Sequence, residues 1–150
     1  MTAALLEVQG LSVTYRADGR EVRALRDCTL AVAAGEVVAL VGESGSGKST
    51  LARAVAGLVA PEAGTIRLDG RDLRDTRGEQ GRRLRRRVQM VFQDPDASLN
   101  PQHRVRAIVA EPLIVTAGAR GAALEARIRG LLDLVHLDPA LLERRPRELS

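Results

Sequence analysis

Apolar and polar residues alternate loosely from Leu6 to Tyr15 and again from Val22 to Val32, with Ala17-Asp18-Gly19-Arg20 between them. A period of two predicts strands, and the glycine-containing turn predicts that they pair antiparallel. Beyond Ala33-Ala34-Gly35-Glu36 the pattern changes to a continuous apolar run, Val37-Val38-Ala39-Leu40-Val41, which reads as a buried strand. Leu51-Ala52-Arg53-Ala54-Val55-Ala56 is helix-forming and is expected to end near Gly57, with Pro61 beyond it as a stop signal. Ile66-Arg67-Leu68-Asp69-Gly70 predicts a short strand with a turn, and Val88-Gln89-Met90-Val91-Phe92 another buried strand, ending at Gln93-Asp94-Pro95. From Val105 onward the period becomes helical. One helix is predicted over Val105 to Thr116 with a break at Pro112, and a second over Ala122 to Val135, whose Leu124, Ile128, Leu131, Leu132 and Val135 share a face. The chain shows no internal repeat and no low-complexity segment, so the order is a β layer, an α/β core and a helical stretch.

Between the apolar run and the first helix stands Gly42-Glu43-Ser44-Gly45-Ser46-Gly47-Lys48-Ser49-Thr50, which fits the phosphate-binding P-loop pattern G-x-x-x-x-G-K-[ST] at every fixed position. Glycines let the backbone curl around an anion with its N–H groups pointing inward, and the following helix adds its positive end. Lys48 reaches the outer phosphates as a mobile point charge, and the Ser49 hydroxyl is placed to coordinate Mg²⁺. Each such charge-assisted bond contributes about 1.5–3 kcal/mol. A glycine-rich turn matching by chance would not also have a strand before it and a helix after it. The loop therefore predicts a site for a nucleoside triphosphate.

Composition narrows the setting. A chain of 150 residues, 45% hydrophobic and 28% charged, is globular and has room for one domain with a core. No apolar run approaches the ~20 residues that span a bilayer, and the opening Met1-Thr2-Ala3-Ala4-Leu5-Leu6-Glu7 lacks the basic start of a secretory signal. Cys28 is the only cysteine, so no intrachain disulfide forms, and its place in an apolar-patterned strand predicts burial rather than reactivity. The net charge of +4, with Arg82-Arg83-Leu84-Arg85-Arg86-Arg87, raises the question of nucleic acid. Lys48 is the only lysine, so arginine is simply this chain's surface cation. One tyrosine and one phenylalanine are too few for base-stacking platforms. No nucleic-acid partner is expected, and Lys48 stands where a compact ammonium is needed.

With these elements placed, the sequence resembles the ATP-binding cassette of ABC transporters from about Leu6 to Ser150, and most closely the subgroup that energises oligopeptide and dipeptide importers. Tyr15 lies where that family's aromatic stacks on adenine, and Val22 flanks the base. Val91-Phe92-Gln93-Asp94-Pro95 followed by Ser98-Leu99-Asn100-Pro101 resembles the Q-loop, whose glutamine serves Mg²⁺ or a water near the γ-phosphate and whose loop moves with the membrane partner. Arg144-Arg145-Pro146-Arg147-Glu148-Leu149-Ser150 looks like the lead-in to the family's LSGGQ signature, of which Leu149 and Ser150 are present. Gln102 stands where an arginine is expected, Arg145 and Arg147 replace an aromatic and a histidine, and His136 sits where glycine is commoner.

The resemblance implies an α/β P-loop NTPase fold of the ABC type, incomplete: an N-terminal β layer, a partial parallel core sheet and a helical subdomain. The first two occupy about residues 1–103 and the third about 104–150. It implies ATP and Mg²⁺ as cofactors, with Ser49 and Gln93 toward the metal. It further implies a second cassette, identical or not, and transmembrane permease subunits as partners, at the cytoplasmic face of the cell membrane. The Walker B aspartate, the catalytic glutamate, the D-loop and the switch histidine of the family lie beyond the signature. His103 and His136 precede it and do not substitute, so no catalytic set is complete. The segment is expected to bind nucleotide weakly and not turn it over. The family's Walker B strand lies between the P-loop and Q-loop strands, so two apolar strands are left without their central neighbour, and partial order or aggregation is expected of the segment alone. A non-transport ABC ATPase and a non-catalytic nucleotide-binding fragment are the alternatives.

Overall fold

In a computed structural model, described for residues 4–17, 19–74, 78–94 and 98–149, the chain divides into two compact units, residues 1–90 and 91–150. The first unit is built on the expected antiparallel pair, β1 (Ala4–Ala17) and β2 (Arg20–Ala33), with Val8 opposite Leu30, Leu11 opposite Cys28 and Val13 opposite Leu25. Strict alternation would put Val8 and Leu11 on opposite faces. Gly10 adopts φ 59 and inserts an extra residue, a bulge, so that Val8, Leu11 and Val13 are all buried. The backbone groups displaced by the irregular register find side chains: Gly10 N–H donates to Thr29 Oγ1 at 3.1 Å, and Asp27 N–H to Ser12 Oγ at 3.1 Å. In the β1–β2 connection, Asp18 lies outside the described residues.

Strand β3 (Ala63–Leu68) pairs with the other edge of β1, matching Leu6 with Leu68 and Val8 with Ile66. Asp69 and Gly70, with φ 56 and 71, then make the tight turn into β4 (Arg71–Asp72). The sheet order is β2-β1-β3-β4. Helix α1 (Lys48–Val55) lays Leu51 and Ala54 on this sheet, and α2 (Gly78–Arg85) adds Leu84. Burying each of the two leucines contributes about 1.5–3 kcal/mol. The stop after α1 is a paired backbone closure, with Leu58 N–H donating to Arg53 O at 2.8 Å and Gly57 N–H to Ala54 O at 3.0 Å.

Two predicted strands do not form. Residues 37–41 and 88–92 belong to no ladder among the described residues, every pairing there is antiparallel, and Val37 and Val91 are each 95% exposed. An apolar run becomes a strand only where a neighbour accepts its backbone hydrogen bonds, and neither run has one alongside. The parallel part of the expected sheet is thus absent from the described residues.

The second unit packs α3 (Val105–Ala117) against α4 (Gly121–Leu134), with a core of Ala110, Ile128, Leu132 and Leu142. Helix α3 passes through Pro112 instead of breaking there. Ala110 and Leu113 pack into the same core on either side of the proline, and that packing outweighs the single backbone bond the ring removes. The predicted apolar face of α4 is also narrower than its pattern: Ile128 and Leu132 are buried, whereas Leu131 and Val135 are exposed. Arg104 pairs with Glu143 at 2.5 Å, Arg106 pairs with Glu125, and Val105 N–H donates to Arg144 O at 2.8 Å. Short 3-10 turns follow at Pro139–Glu143, capped by Asp138 Oδ1 accepting from Ala140 N–H at 2.8 Å, and at Pro146–Glu148.

The end of α4 accounts for one departure noted in the sequence. His136 has φ 57, while Leu137 N–H donates to Leu132 O at 2.9 Å and His136 N–H to Asp133 O at 3.1 Å. This is the closure in which a left-handed residue, usually glycine, ends a helix. A side chain there strains the backbone by about 1 kcal/mol. His136→Gly is accordingly expected to stabilise the second unit by about 0.5–1 kcal/mol in a denaturant titration.

Candidate functional site

The P-loop leaves the sheet through a turn in which Glu36 N–H donates to Ala33 O at 3.2 Å and Glu36 Oε2 accepts from Ala33 N–H at 2.6 Å. Ser46 N–H closes the loop onto Glu43 O at 3.2 Å, and Leu51 N–H to Gly47 O, at 2.9 Å, starts α1. Gly47 is the N-cap, with φ 94, and has no side chain with which to cap the helix. The first-turn N–H groups of Lys48, Ser49 and Thr50 therefore face outward as a site for an anion. Gly47 also permits a close approach, since a Cβ there would lie 2.5 Å from Ala24 O and 2.7 Å from Leu25 Cδ2. At Gly42 a Cβ would come within 2.9 Å of Ser46 Oγ.

The Lys48 ammonium folds back over this loop. It donates to Gly42 O at 2.8 Å, to Glu43 O at 2.7 Å and to Ser46 Oγ at 3.2 Å. These bonds place a positive charge beside the carbonyls of Gly42 and Glu43, in the lining of a shallow depression of about 250 Å³ that Leu25, Cys28, Leu40 and Leu51 share. Cys28, expected to be buried, is half-buried. Another depression, of about 180 Å³, lies at the opposite end of α1 among Val55, Val59, Ile66 and Leu73 and takes no part in the loop.

Tyr15 comes to the same helix from β1. It stands opposite Val22, is 37% exposed, and its Oη donates to Thr50 Oγ1 at 3.5 Å. Its neighbours on the strand are fastened to one carboxylate: Thr14 Oγ1 donates to Glu62 Oε2 at 2.7 Å, and Arg16 lies 3.8 Å from Glu62 Oε1. Arg16 also bonds Glu21 at 2.7 Å; that hydrogen bond, the charge of Glu21 and then that of Glu62 raise its pKa above the ordinary guanidinium value. The fold thus gathers Tyr15 and residues 42–50 in one unit, although they are far apart in sequence.

Gln93 and Leu149 belong to the second unit, and both are exposed there. Near Gln93, Pro95 falls outside the described residues, and Asn100 Oδ1 accepts from Gln102 N–H at 3.0 Å. Leu149 follows the 3-10 turn in which Arg145 N–H donates to Glu148 Oε2 at 2.6 Å, while Ser150 lies outside the described residues. Among the described residues no group of three or more His, Cys, Asp or Glu could hold a metal, and no helix is long and apolar enough to cross a membrane. The sequence pattern did not point to Ala24, Leu25 or Glu62. Their part depends on the register of β2 and on the path after α1, for which no short motif exists.

A glycine-rich loop between a sheet and a helix, covered by a lysine ammonium, defines a P-loop nucleotide-binding fold. The particular family follows from comparison with known proteins: the chain belongs to the ABC transporter family, whose model matches residues 25–150. It is 39% identical over 156 residues to the oligopeptide transport ATP-binding protein OppF of Haemophilus influenzae, covering 97% of this chain and 47% of that protein. The OppF protein of Streptococcus mutans is 39% identical over 148 residues, covering 97% of this chain and 48% of the relative. Among solved structures, a dimeric ATP-binding cassette in a post-hydrolysis state, bound to ADP and Pi, superposes with a TM-score of 0.77 at 26% identity, over 97% of this chain and 63% of that one. The chain spans about half the length of the curated relatives it matches.

Steric logic at the loop is open to a direct check. Gly47→Ala is expected to destabilise the first unit by about 2–4 kcal/mol, from the clash with Ala24 and the left-handed backbone together. Gly45→Ala, where φ is 82 but nothing lies within 4 Å, should cost only the backbone part, about 1–2 kcal/mol. Chemical denaturation of both variants, with equal losses, would contradict the close-approach account.

Proposed function

We propose that this chain is the nucleotide-binding part of an ABC ATPase subunit that couples ATP binding and hydrolysis to the import of peptides or a related small solute. The observation that carries this reading is the Lys48 ammonium above the carbonyls of Gly42 and Glu43, beside the uncapped N-terminus of α1. Cradle and cation together match the chemistry of a polyphosphate, which needs inward N–H groups and a mobile positive charge. Glu43, Ser44, Gly45 and Ser46 form the turn, Lys48 holds the outer phosphates, and Thr50 closes the first turn of α1. Tyr15 offers its ring face to adenine.

Gln93, in the second unit, carries a neutral amide oxygen of the kind Mg²⁺ accepts, and at the loop Ser49 supplies a neutral hydroxyl that suits this hard cation, which keeps several waters and phosphate oxygens for itself. Bound there, Mg²⁺ would neutralise charge developing on the phosphates. In this reading the helical subdomain runs from about residue 104, and Leu149 with Ser150 opens the signature that faces a partner cassette's nucleotide. Permease subunits at the cytoplasmic face of the membrane complete the assembly. The named OppF relatives of peptide transport support that assignment.

Isothermal titration of the chain with ATP tests the site. Each charge-assisted bond of Lys48 is worth about 1.5–3 kcal/mol, so Lys48→Ala is expected to weaken ATP binding by about tenfold to a hundredfold. Phosphate release should stay at background in both proteins. Equal affinities would sink the phosphate role of Lys48, and steady turnover that Lys48→Ala abolishes would show that this chain holds a complete catalytic set.

A further inference from the structure

The backbone carrying Tyr15 is held from two sides. Tyr15 sits in register with Val22, and Glu62, just before β3, fastens Thr14 and Arg16 while its own N–H donates to Ser12 O at 2.8 Å. What remains free is the rotation of the ring about its side-chain torsions. Among the described residues, the polar contact that limits that rotation is the bond from Tyr15 Oη to Thr50 Oγ1. Thr50 is 8% exposed, and a hydroxyl so enclosed needs a partner. Here the partner is a side chain from the sheet, so the ring is tethered to the first turn of α1.

We infer that Thr50 is a positioning residue for the base: through Tyr15 Oη it sets where the ring face stands relative to the phosphate cradle, and so favours nucleotides over bare polyphosphate. This rests on the reading of Tyr15 as the adenine-stacking residue. Aromatic stacking depends on offset and angle, so a ring held at one orientation captures a base better than one sampling several rotamers. At 3.5 Å the bond is long for an O–H···O contact, which ordinarily spans 2.5–3.0 Å, so its effect is modest.

The test compares ATP with inorganic tripolyphosphate by isothermal titration in the wild-type chain, Thr50→Ser, Thr50→Val, Tyr15→Phe and the double variant Thr50→Val/Tyr15→Phe. Thr50→Val and Tyr15→Phe are each expected to weaken ATP about threefold to fivefold while leaving tripolyphosphate within about twofold. The double variant should be no weaker than either single one, because both remove the same bond. Thr50→Ser keeps the hydroxyl and should keep the affinity. Equal losses for ATP and tripolyphosphate in Thr50→Val would overturn the inference, since Thr50 would then act on phosphate directly; unchanged ATP affinity would overturn it too. Wild-type chain that binds both probes equally would instead remove the base-stacking reading beneath it, and binding of neither would remove the nucleotide site itself.

A second readout needs no ligand. The chain has one tyrosine and no tryptophan, so its intrinsic emission comes from Tyr15. Thr50→Val should lower the emission anisotropy and raise quenching by acrylamide, with Thr50→Ser close to wild type. No change in either quantity would show that Thr50 does not hold the ring.

Discussion

The fold of the first unit depends on how closely one backbone can approach another. Gly47 lets the start of α1 lie against Ala24 and Leu25 of β2, where any side chain would collide with a carbonyl oxygen. That contact fixes where the helix begins on the sheet. Leu51 and Ala54 can then reach the face formed by Val8, Leu11 and Val13, and the first-turn N–H groups stay uncovered. A single absent methyl thus links the packing of the core to the exposure of the anion-binding end of the helix. The Lys48 ammonium completes the arrangement by holding the loop closed over its own carbonyls.

A second constraint is the demand of extended backbone for hydrogen-bond partners. The antiparallel layer satisfies it within the chain, because β1 has β2 on one edge and β3 on the other. Residues 37–41 and 88–92 have the apolar composition of central strands, yet the first run stands exposed and in the second only Val88 and Met90 are half-buried. Their condition shows that apolarity proposes a strand while a neighbouring strand makes one. Sheet register brings Tyr15 to the helix that follows the loop within the first unit, whereas Gln93 and Leu149 belong to a unit with its own core.

Within the helical unit, local preference yields to packing twice. Pro112 is carried inside α3 because apolar neighbours on both sides of it pack into one core, and His136 occupies a left-handed position because the closure after Leu132 requires one. Each residue departs from the local ideal at a modest cost that the surrounding contacts offset.

The amino-acid sequence by itself determined the elements that depend on near neighbours: the two long strands, the P-loop with its lysine, the helix after it and the two later helices. It also carried the family, because a motif of fixed spacing expresses a local chemical requirement. Tertiary structure alone decided which apolar runs became strands, that Leu131 and Val135 face outward, that α3 runs through its proline, and that Tyr15 meets Thr50. The reason is one of range. Periodicity and motif spacing record what a residue needs within a few positions, whereas ladder partners, bulge register and the Tyr15–Thr50 hydroxyl contact depend on segments far away in the chain.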